Sequence, residues 1–221
     1  MTVRTIVVLL GPPGAGKGTQ ARAVMEQLKL PQIATGHMLR DAVARETRLG
    51  REAKKLLDEG NLVGDDTVTA IVLERSVAPD CVRGFILDGY PRNLVQAEMF
   101  QVSLGADDHL RVIELAIDTD VLVDRITSRM TCSKCGAVYN NHVRAPLVEG
   151  RCDQCGGELI HRSDDREEVV RERLRTYREQ TAPLVEFYKK KNVYSRVDGM
   201  NEIGRVTEDI MSVVKGVPGV A

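Results

Sequence analysis

The chain has 221 residues, of which 31 are basic and 32 acidic, and its net charge is −1. Such a balance gives no overall field that would attract a nucleic acid or a membrane surface. Hydrophobic residues make up 43%, enough for a sizeable core, and an aromatic share of 4% makes that core aliphatic. No run reaches the ~18 apolar residues of a membrane span, and the N-terminus lacks an apolar signal segment. We therefore expect a soluble cytoplasmic protein with one domain and small inserted subdomains.

The first motif is GPPGAGKGT at 11–19, directly after the apolar run 6–10. That run is too short for a globular helix and rich in β-branched residues, which favours a strand buried on both faces of a parallel sheet. A helical spacing of apolar residues then begins and extends from Ala21 to Leu28. Strand, glycine loop and helix together predict a phosphate-binding loop, in which backbone N–H groups cradle phosphates and Lys17 follows the transferring phosphoryl group.

One detail of this loop departs from the general pattern. Gly18 follows Lys17 where Ser or Thr is usual, and the hydroxyl comes one place later at Thr19. Thr19 is therefore a weaker candidate for a magnesium ligand than the hydroxyl of the general motif. The alternative for the whole stretch is a glycine-rich turn that binds nothing.

The next elements follow from apolar spacing and turn residues. In chain order we predict a short apolar link at 32–34, helices from residue 35, over 51–59 and from 65 or 66, a strand at 85–88, a sharp turn at 89–92, a strand at 112–117 and a helix from about 120. Strands separated by helices predict an α/β fold with a doubly wound parallel sheet, which binds ligands beyond the carboxyl ends of its strands.

The second half contains an insert and four further elements. Residues 132–162 have no sustained helical period and are dense in Gly, Pro, Asn and Cys, which indicates an inserted module. Asp164 or Asp165, with Glu three places later, resembles a capping box that opens a helix. Pro183 is expected to start or kink another helix. A last strand at 193–197 and a terminal helix from about 203 to 214 complete the prediction, followed by a frayed tail.

Charged residues near element ends are candidates for binding phosphate and metal. Asp88 ends a predicted strand and could hold magnesium beside the phosphates, directly or through water, although it could also cap a turn. Arginine binds phosphate oxygens through a planar, bidentate fork. Six arginines lie near loops or element ends: Arg40, Arg92, Arg125, Arg129, Arg162 and Arg173.

Four of the five cysteines form two C-x-x-C pairs, which lie sixteen residues apart: Cys132 with Cys135, and Cys152 with Cys155. Each pair is followed by a glycine, which lets the backbone wrap around the sulfurs. This spacing is typical of a tetrahedral structural zinc site that would stabilise the insert. A redox pair, a nucleic-acid zinc ribbon and iron in place of zinc are the alternatives. His142 and His161, in or beside the insert, are interpreted as surface residues.

Taken together, these segments resemble the adenylate kinase family in its long form, whose lid carries a zinc-binding insert. The resemblance runs from residue 11 to about 199 and rests on GPPGAGKGTQ, ATGHMLR, FILDGYPRNLVQA, VDRITSR, HRSDDREEVVRERL and TAPLVEFY, in the family's order and spacing. It implies a P-loop core (1–33, 64–127 and 166–221), a helical subdomain for the nucleoside monophosphate (34–63) and a zinc-binding lid (128–165). It also implies reversible, Mg²⁺-dependent transfer of a phosphoryl group from ATP to AMP, giving two ADP.

The resemblance further implies which residues bind each nucleotide. ATP would be bound by Gly14, Ala15, Gly16, Lys17, Gly18, Thr19, Arg129, Val138, Tyr139 and Asn201. AMP would be bound by Thr35, Arg40, Asn61, Leu62, Val63, Gly89, Tyr90, Pro91, Arg92, Gln96, Arg162 and Arg173. Gln96 can pair with the adenine edge because its amide both donates and accepts. Lys17 and the arginines at 92, 125, 129, 162 and 173 form the expected catalytic set. No general base is expected, since the AMP phosphate is itself the nucleophile.

One residue departs from the family. His37 stands in ATGHMLR where the family usually has Asp, a carboxylate expected near the magnesium and its waters. A neutral imidazole cannot replace that charge and a protonated one repels the metal, which predicts weaker or altered magnesium dependence. The alternative is that His37 merely faces solvent.

Several other functions remain open at this stage. The chain could phosphorylate UMP, CMP or GMP, or use GTP as donor. It could instead be a nucleotide-sensing switch whose zinc ribbon meets a partner, or an inactive paralogue if metal binding is lost. We expect a monomer, because the site is complete in one chain. We expect no nucleic-acid or membrane partner, because the sequence has neither a basic stripe nor an apolar run long enough to span a membrane.

Overall fold

A computed structural model describes residues 3–140 and 144–216 of the chain. The strands are β1 (Arg4–Leu10), β2 (Gln32–Ala34), β3 (Gly84–Asp88), β4 (Asp108–Ala116), β5 (Arg129–Cys132), β6 (Val138–Asn140), β7 (Leu159–Ile160) and β8 (Tyr194–Asp198). The helices are α1 (Lys17–Leu28), α2 (Thr35–Ala44), α3 (Arg48–Glu59), α4 (Asp65–Ser76), α5 (Leu94–Ser103), α6 (Leu122–Thr127), α7 (Glu167–Thr176), α8 (Leu184–Lys189) and α9 (Ile203–Lys215). None of them, over the described ranges, could span a membrane by length and apolar character.

The main sheet is parallel and has the strand order β2-β3-β1-β4-β8. Its central strand, β1, is buried from Thr5 onward, as its unbroken apolar run predicts. Ile6 and Val8 face a core that includes residues of α4, α5 and α8, whereas Val7 and Leu9 face a core that includes residues of α1 and α9. Helices therefore cover both faces, which confirms the doubly wound α/β fold.

A second, antiparallel sheet of order β6-β5-β7 lies in the segment 129–163, which we call the cysteine-containing segment. Its strands have two to four residues each, too few for an alternating pattern to be recognised. Over the described residues no helix lies within 132–162, as the absence of helical spacing predicts. His142 and the tail at 217–221 lie outside the described residues.

Three local predictions differ from the structure. Residues 32–34 form β2, an edge strand in which Ile33 pairs with Leu87, and not a link. Helix α5 was not predicted, although Asn93 caps it by accepting a hydrogen bond from the N–H of Gln96 at 2.9 Å. The capping box at 164–168 is wrong, because Ser163–Asp165 forms a 3₁₀ turn and α7 begins after Arg166 without a side-chain cap.

Candidate active site

The phosphate-binding loop joins β1 to α1 at the carboxyl edge of the sheet. Gly14 and Gly16 have φ values of 83° and 88°, which favour glycine. A Cβ at Gly14 would also lie 2.8 Å from Cγ1 of Ile126. No side chain caps α1, so its first N–H groups are available to an anion. Lys17 crosses the loop, where its Nζ donates to the carbonyls of Gly11 at 2.7 Å and Pro12 at 2.9 Å.

The structure explains why glycine follows Lys17. Strand β3 neighbours β1, so Asp88 emerges beside the start of α1. A Cβ at Gly18 would lie 3.3 Å from Oδ2 of Asp88, and that oxygen accepts a hydrogen bond from Nε2 of Gln32 at 3.0 Å. The missing side chain leaves room for a carboxylate against the phosphate loop, where it can serve as an oxygen ligand for Mg²⁺.

Two buried carboxylates gather the arginines of the site. Arg129 donates to both oxygens of Asp165, with its Nε 2.8 Å from Oδ2. Nη1 of Arg173 lies 3.0 Å from Oδ2 of Asp164 and 3.2 Å from Oδ1 of Asp165. Arg40, on α2, lies 4.0 Å from Asp164. Side chains from three separate parts of the chain therefore meet at one 3₁₀ turn.

This cluster holds more positive than negative charge. Burial lowers the pKa of Lys17 to about 8, with the charges of Arg92, Arg173 and Arg129 adding to the shift although Asp88 opposes it. Burial also lowers the pKa of Arg92 to about 10 and that of Arg162 to about 9. Both guanidinium groups still remain charged at neutral pH. A polyanion bound here would relieve their mutual repulsion, which is the electrostatic signature of a phosphate site.

The arginines hold the Asp164 carboxylate in the ionised form. Burial by itself raises the pKa of Asp164, but the charges of Arg173, Arg40, Arg129 and Arg162 together keep it below its ordinary value. Asp164 therefore stays ionised at neutral pH. A fixed negative charge orients the arginines without neutralising all of them.

A second loop, after β3, carries the residues predicted for AMP. The carbonyl of Gly89 accepts hydrogen bonds from Oγ1 of Thr35 at 2.8 Å and from Nε of Arg92 at 2.7 Å. Gln96 is 1% exposed, and its Oε1 accepts from the N–H of Arg92 at 2.8 Å. Its Nε2 donates to Asp65 at 2.8 Å. These two contacts leave one N–H and one lone pair of the Gln96 amide without a partner among the described residues, within a side chain that is almost fully buried.

Several side chains predicted to bind a nucleotide are instead buried in the protein or bonded to other residues. Tyr139 has no exposed surface, and its hydroxyl accepts from the N–H of Asp153 at 2.8 Å. Tyr90 is buried in the core, and Val63 is 8% exposed there. Asn61 is exposed and donates to Glu59. For these residues any nucleotide contact stays a prediction, as it does for Arg125, Val138, Leu62, Pro91 and Asn201.

The cysteine-containing segment lies against α1 and α2. Nη1 of Arg22 donates to Oε1 of Gln154 at 3.3 Å. His37 lies against the first cysteine pair, since a Cβ at Gly136 would be 3.5 Å from its Cδ2 and Nε2. On the far side Ser163 donates to Asp58 at 3.2 Å. These contacts hold the segment against α1, α2 and α3, and sequence reasoning missed them because each joins residues far apart in the chain.

The four cysteines can hold a metal ion. The Sγ atoms of Cys132, Cys135, Cys152 and Cys155 all lie within 4.8 Å of one another, and two pairs are 3.5 Å apart. Sulfurs bound to one tetrahedral Zn²⁺ at ~2.3 Å would be ~3.8 Å apart, close to this arrangement. The buried core around them consists of Cys132, Ala137, Tyr139, Cys152 and Leu159. So small a core is a reason for the segment to need a metal.

Comparison with known proteins gives a consistent result. A family model described as adenylate kinase matches residues 9–193. The adenylate kinase of Archaeoglobus fulgidus is 48% identical over 211 residues, which is 95% of this chain and 97% of that protein. The adenylate kinase of Rhizobium rhizogenes is 49% identical, covering 94% and 98%. That of Thermosipho africanus is 44% identical, covering 95% and 99%. With its phosphate loop, parallel sheet and arginine cluster, the chain belongs to the adenylate kinase family.

Proposed function

We propose that this chain is an adenylate kinase, which transfers a phosphoryl group reversibly from ATP to AMP and gives two ADP. The observation that carries the proposal is the cluster of Lys17 and half-buried arginines between the phosphate loop and the loop after β3. Its cations outnumber its carboxylates, and two facing nucleotides would supply the missing negative charge.

In this mechanism the protein binds the two nucleotides, orients their phosphates for transfer and excludes water. N–H groups of the phosphate loop and Lys17 bind ATP, while Arg92 and Thr35 lie where the AMP phosphate would meet it. Arg129 and Arg173 are already oriented by Asp165 and Asp164, so little reorganisation is needed when charge develops on the transferred group. Phosphoryl transfer of this kind needs positioning and charge neutralisation, and no covalent intermediate.

Two metal ions belong to the proposal. Mg²⁺, when bound with ATP, supplies charge that neutralises the phosphates, and Asp88 would hold it directly or through water. Zn²⁺ would be held by the four cysteines in a closed site without catalytic chemistry. We also propose the division into core, monophosphate subdomain (34–63) and lid (128–165), in which the lid keeps water out of the cleft.

A coupled assay for ADP formation tests this function. MgATP would be the donor, and AMP, GMP, CMP and UMP would be offered separately. We expect turnover with AMP and little with the other three, because the free N–H and lone pair of Gln96 match the donor–acceptor edge of adenine. Turnover mainly with another monophosphate would overturn the base assignment, and none with any would favour a nucleotide-sensing role.

The low pKa of Lys17 predicts a pH dependence of ATP binding. ATP needs the charged ammonium, and the free protein loses this proton as the pH rises through about 8. Affinity should therefore fall by up to about tenfold per pH unit above 8. Isothermal titration calorimetry between pH 7 and 9.5 would measure it. In Lys17→Arg, whose side chain stays charged, ATP affinity should change little with pH. An equally steep fall of affinity in that variant would refute the role of the Lys17 ammonium.

The position of His37 predicts a change in magnesium dependence. His37→Asp should lower the Mg²⁺ concentration needed for half-maximal turnover, because a carboxylate attracts the ion and its waters and an imidazole does not. Magnesium titrations of turnover in both proteins would measure this. Identical titrations would mean that His37 serves only the contact with Gly136.

A further inference from the structure

A cavity lies at the base of the cysteine-containing segment. Its lining includes Pro12 of the phosphate loop but none of the arginines of the cluster. Its volume is about 400 Å³, within the range of small-molecule sites. The carboxyl end of β4, with Leu115 and Ala116, and the following residue Ile117 form one side. Val123 of α6 and Leu174 of α7 form others. These two helices lead into the segment and out of it, so the cavity lies between its two attachment points.

The chemistry of the cavity selects an amphiphilic anion. Its lining is apolar at Leu115, Ile117, Val123 and Leu174, and three arginines stand around it. Arg171 is paired with Glu167 at 2.7 Å, whereas Arg178 and Arg196 have no ion pair among the described residues. Glu114 also lines the cavity, but its carboxylate accepts a hydrogen bond from Tyr194. The net charge around the cavity is therefore positive.

Tyr177 adds a polar group on the same side. Its pKa is raised to about 12 by burial and by the charge of Glu114, so its hydroxyl keeps its proton and can donate. It is the first residue of a short π-helix, Tyr177–Thr181. This kind of helix is rare overall and occurs often at functional sites. At the other end of this helix Oγ1 of Thr181 donates to the carbonyl of Arg92 at 2.6 Å. One short segment thus joins the cavity to the active-site loop.

We propose that this cavity is a second small-molecule site, for compounds with a planar or aliphatic apolar body and one anionic group. The body would lie between α6 and α7, and the anion would pair with Arg178 and Arg196. An occupant would contact both helices that carry the cysteine-containing segment. It would therefore restrain any movement of the proposed lid over the active site.

Binding can be tested with 8-anilinonaphthalene-1-sulfonate, whose aromatic body and single sulfonate match the cavity. Its fluorescence would be titrated with the nucleotide sites saturated by an equilibrium mixture of MgATP, AMP and ADP. We expect saturable binding that the double variant Arg178→Ala/Arg196→Ala weakens at least about tenfold, the loss typical of charged hydrogen-bond partners. The control is Arg175→Ala, an exposed arginine of α7 that pairs with Glu172 and should leave the affinity within about twofold. Displacement by nucleotides, or equal binding to the double variant, would overturn the site.

A kinetic measurement tests the restraint and rests on the proposed function, whereas the fluorescence titration needs no turnover. At saturating nucleotides the probe should lower kcat at least about threefold in the parent and in Arg175→Ala, but not in the double variant. Because a competitor for the nucleotide sites would raise KM instead, the two effects are distinguishable. Binding that leaves kcat unchanged would overturn the restraint.

Discussion

Arg173→Met is expected to lower kcat about 100- to 1,000-fold, the loss typical when one preorganised donor to a developing charge is removed. Arg173 contacts Asp164 and Asp165 in a turn where Arg129 and Arg40 also meet, so its guanidinium is held in place before any nucleotide binds. Methionine keeps much of the apolar stem and removes the charge and the hydrogen bonds. The ADP-coupled assay with saturating MgATP and AMP would measure the effect.

The matched control for this variant is Arg175→Met. Arg175 lies two residues further along α7, is exposed, and pairs with Glu172 and Glu179. An exposed pair of this kind contributes little, so kcat should stay within about twofold. If Arg173→Met also retained kcat within tenfold of the parent, the arginine would be a structural partner of the two aspartates and not part of the catalytic set.

Cys152→Ser is expected to release the metal and to lower Tm by about 10 °C. The cysteine-containing segment has only a handful of buried residues around the sulfurs, so metal affinity becomes folding free energy there. A loss of ~4 kcal/mol, at ~2–4 °C per kcal/mol for a chain of this size, gives a shift of this order. Metal analysis of protein purified without added zinc should find about one equivalent in the parent and little in the variant.

Ser133→Ala is the control, since Ser133 lies between Cys132 and Cys135, in the other cysteine pair, and is exposed. Its metal content and Tm should match the parent. ATP binding to the phosphate loop should stay within about threefold in both variants, because the loop is built on β1 and α1 and not on this segment. A parent without metal, or a Cys152→Ser variant with unchanged Tm, would remove the stabilising role of the site.

The phosphate loop and the cysteine site could be predicted because their determinants are local. Strand, glycine loop and helix fall within residues 4–28, and each C-x-x-C pair brings two sulfurs together within four residues. The parallel sheet followed from apolar runs separated by helical periods. Where an element was too short to show a period, as in β2 or the small antiparallel sheet, no such prediction was possible.

Only the tertiary structure decided what the acidic pair at 164–165 does. As a local pattern it favoured a helix cap, but Arg129 of β5 and Arg173 of α7 donate hydrogen bonds to its carboxylates. Buried charges need partners more strongly than a helix needs a cap, so the long-range interaction prevailed.

By itself, then, the sequence determined the sheet, the phosphate loop, the family and the cluster of four cysteines, because each depends on spacing along the chain. The arginine cluster, the hydrogen bond that Gln96 accepts from Arg92 and the position of His37 against Gly136 depended on the fold. These contacts join residues far apart in sequence, and spacing alone carries no information about which distant charges will share one buried space.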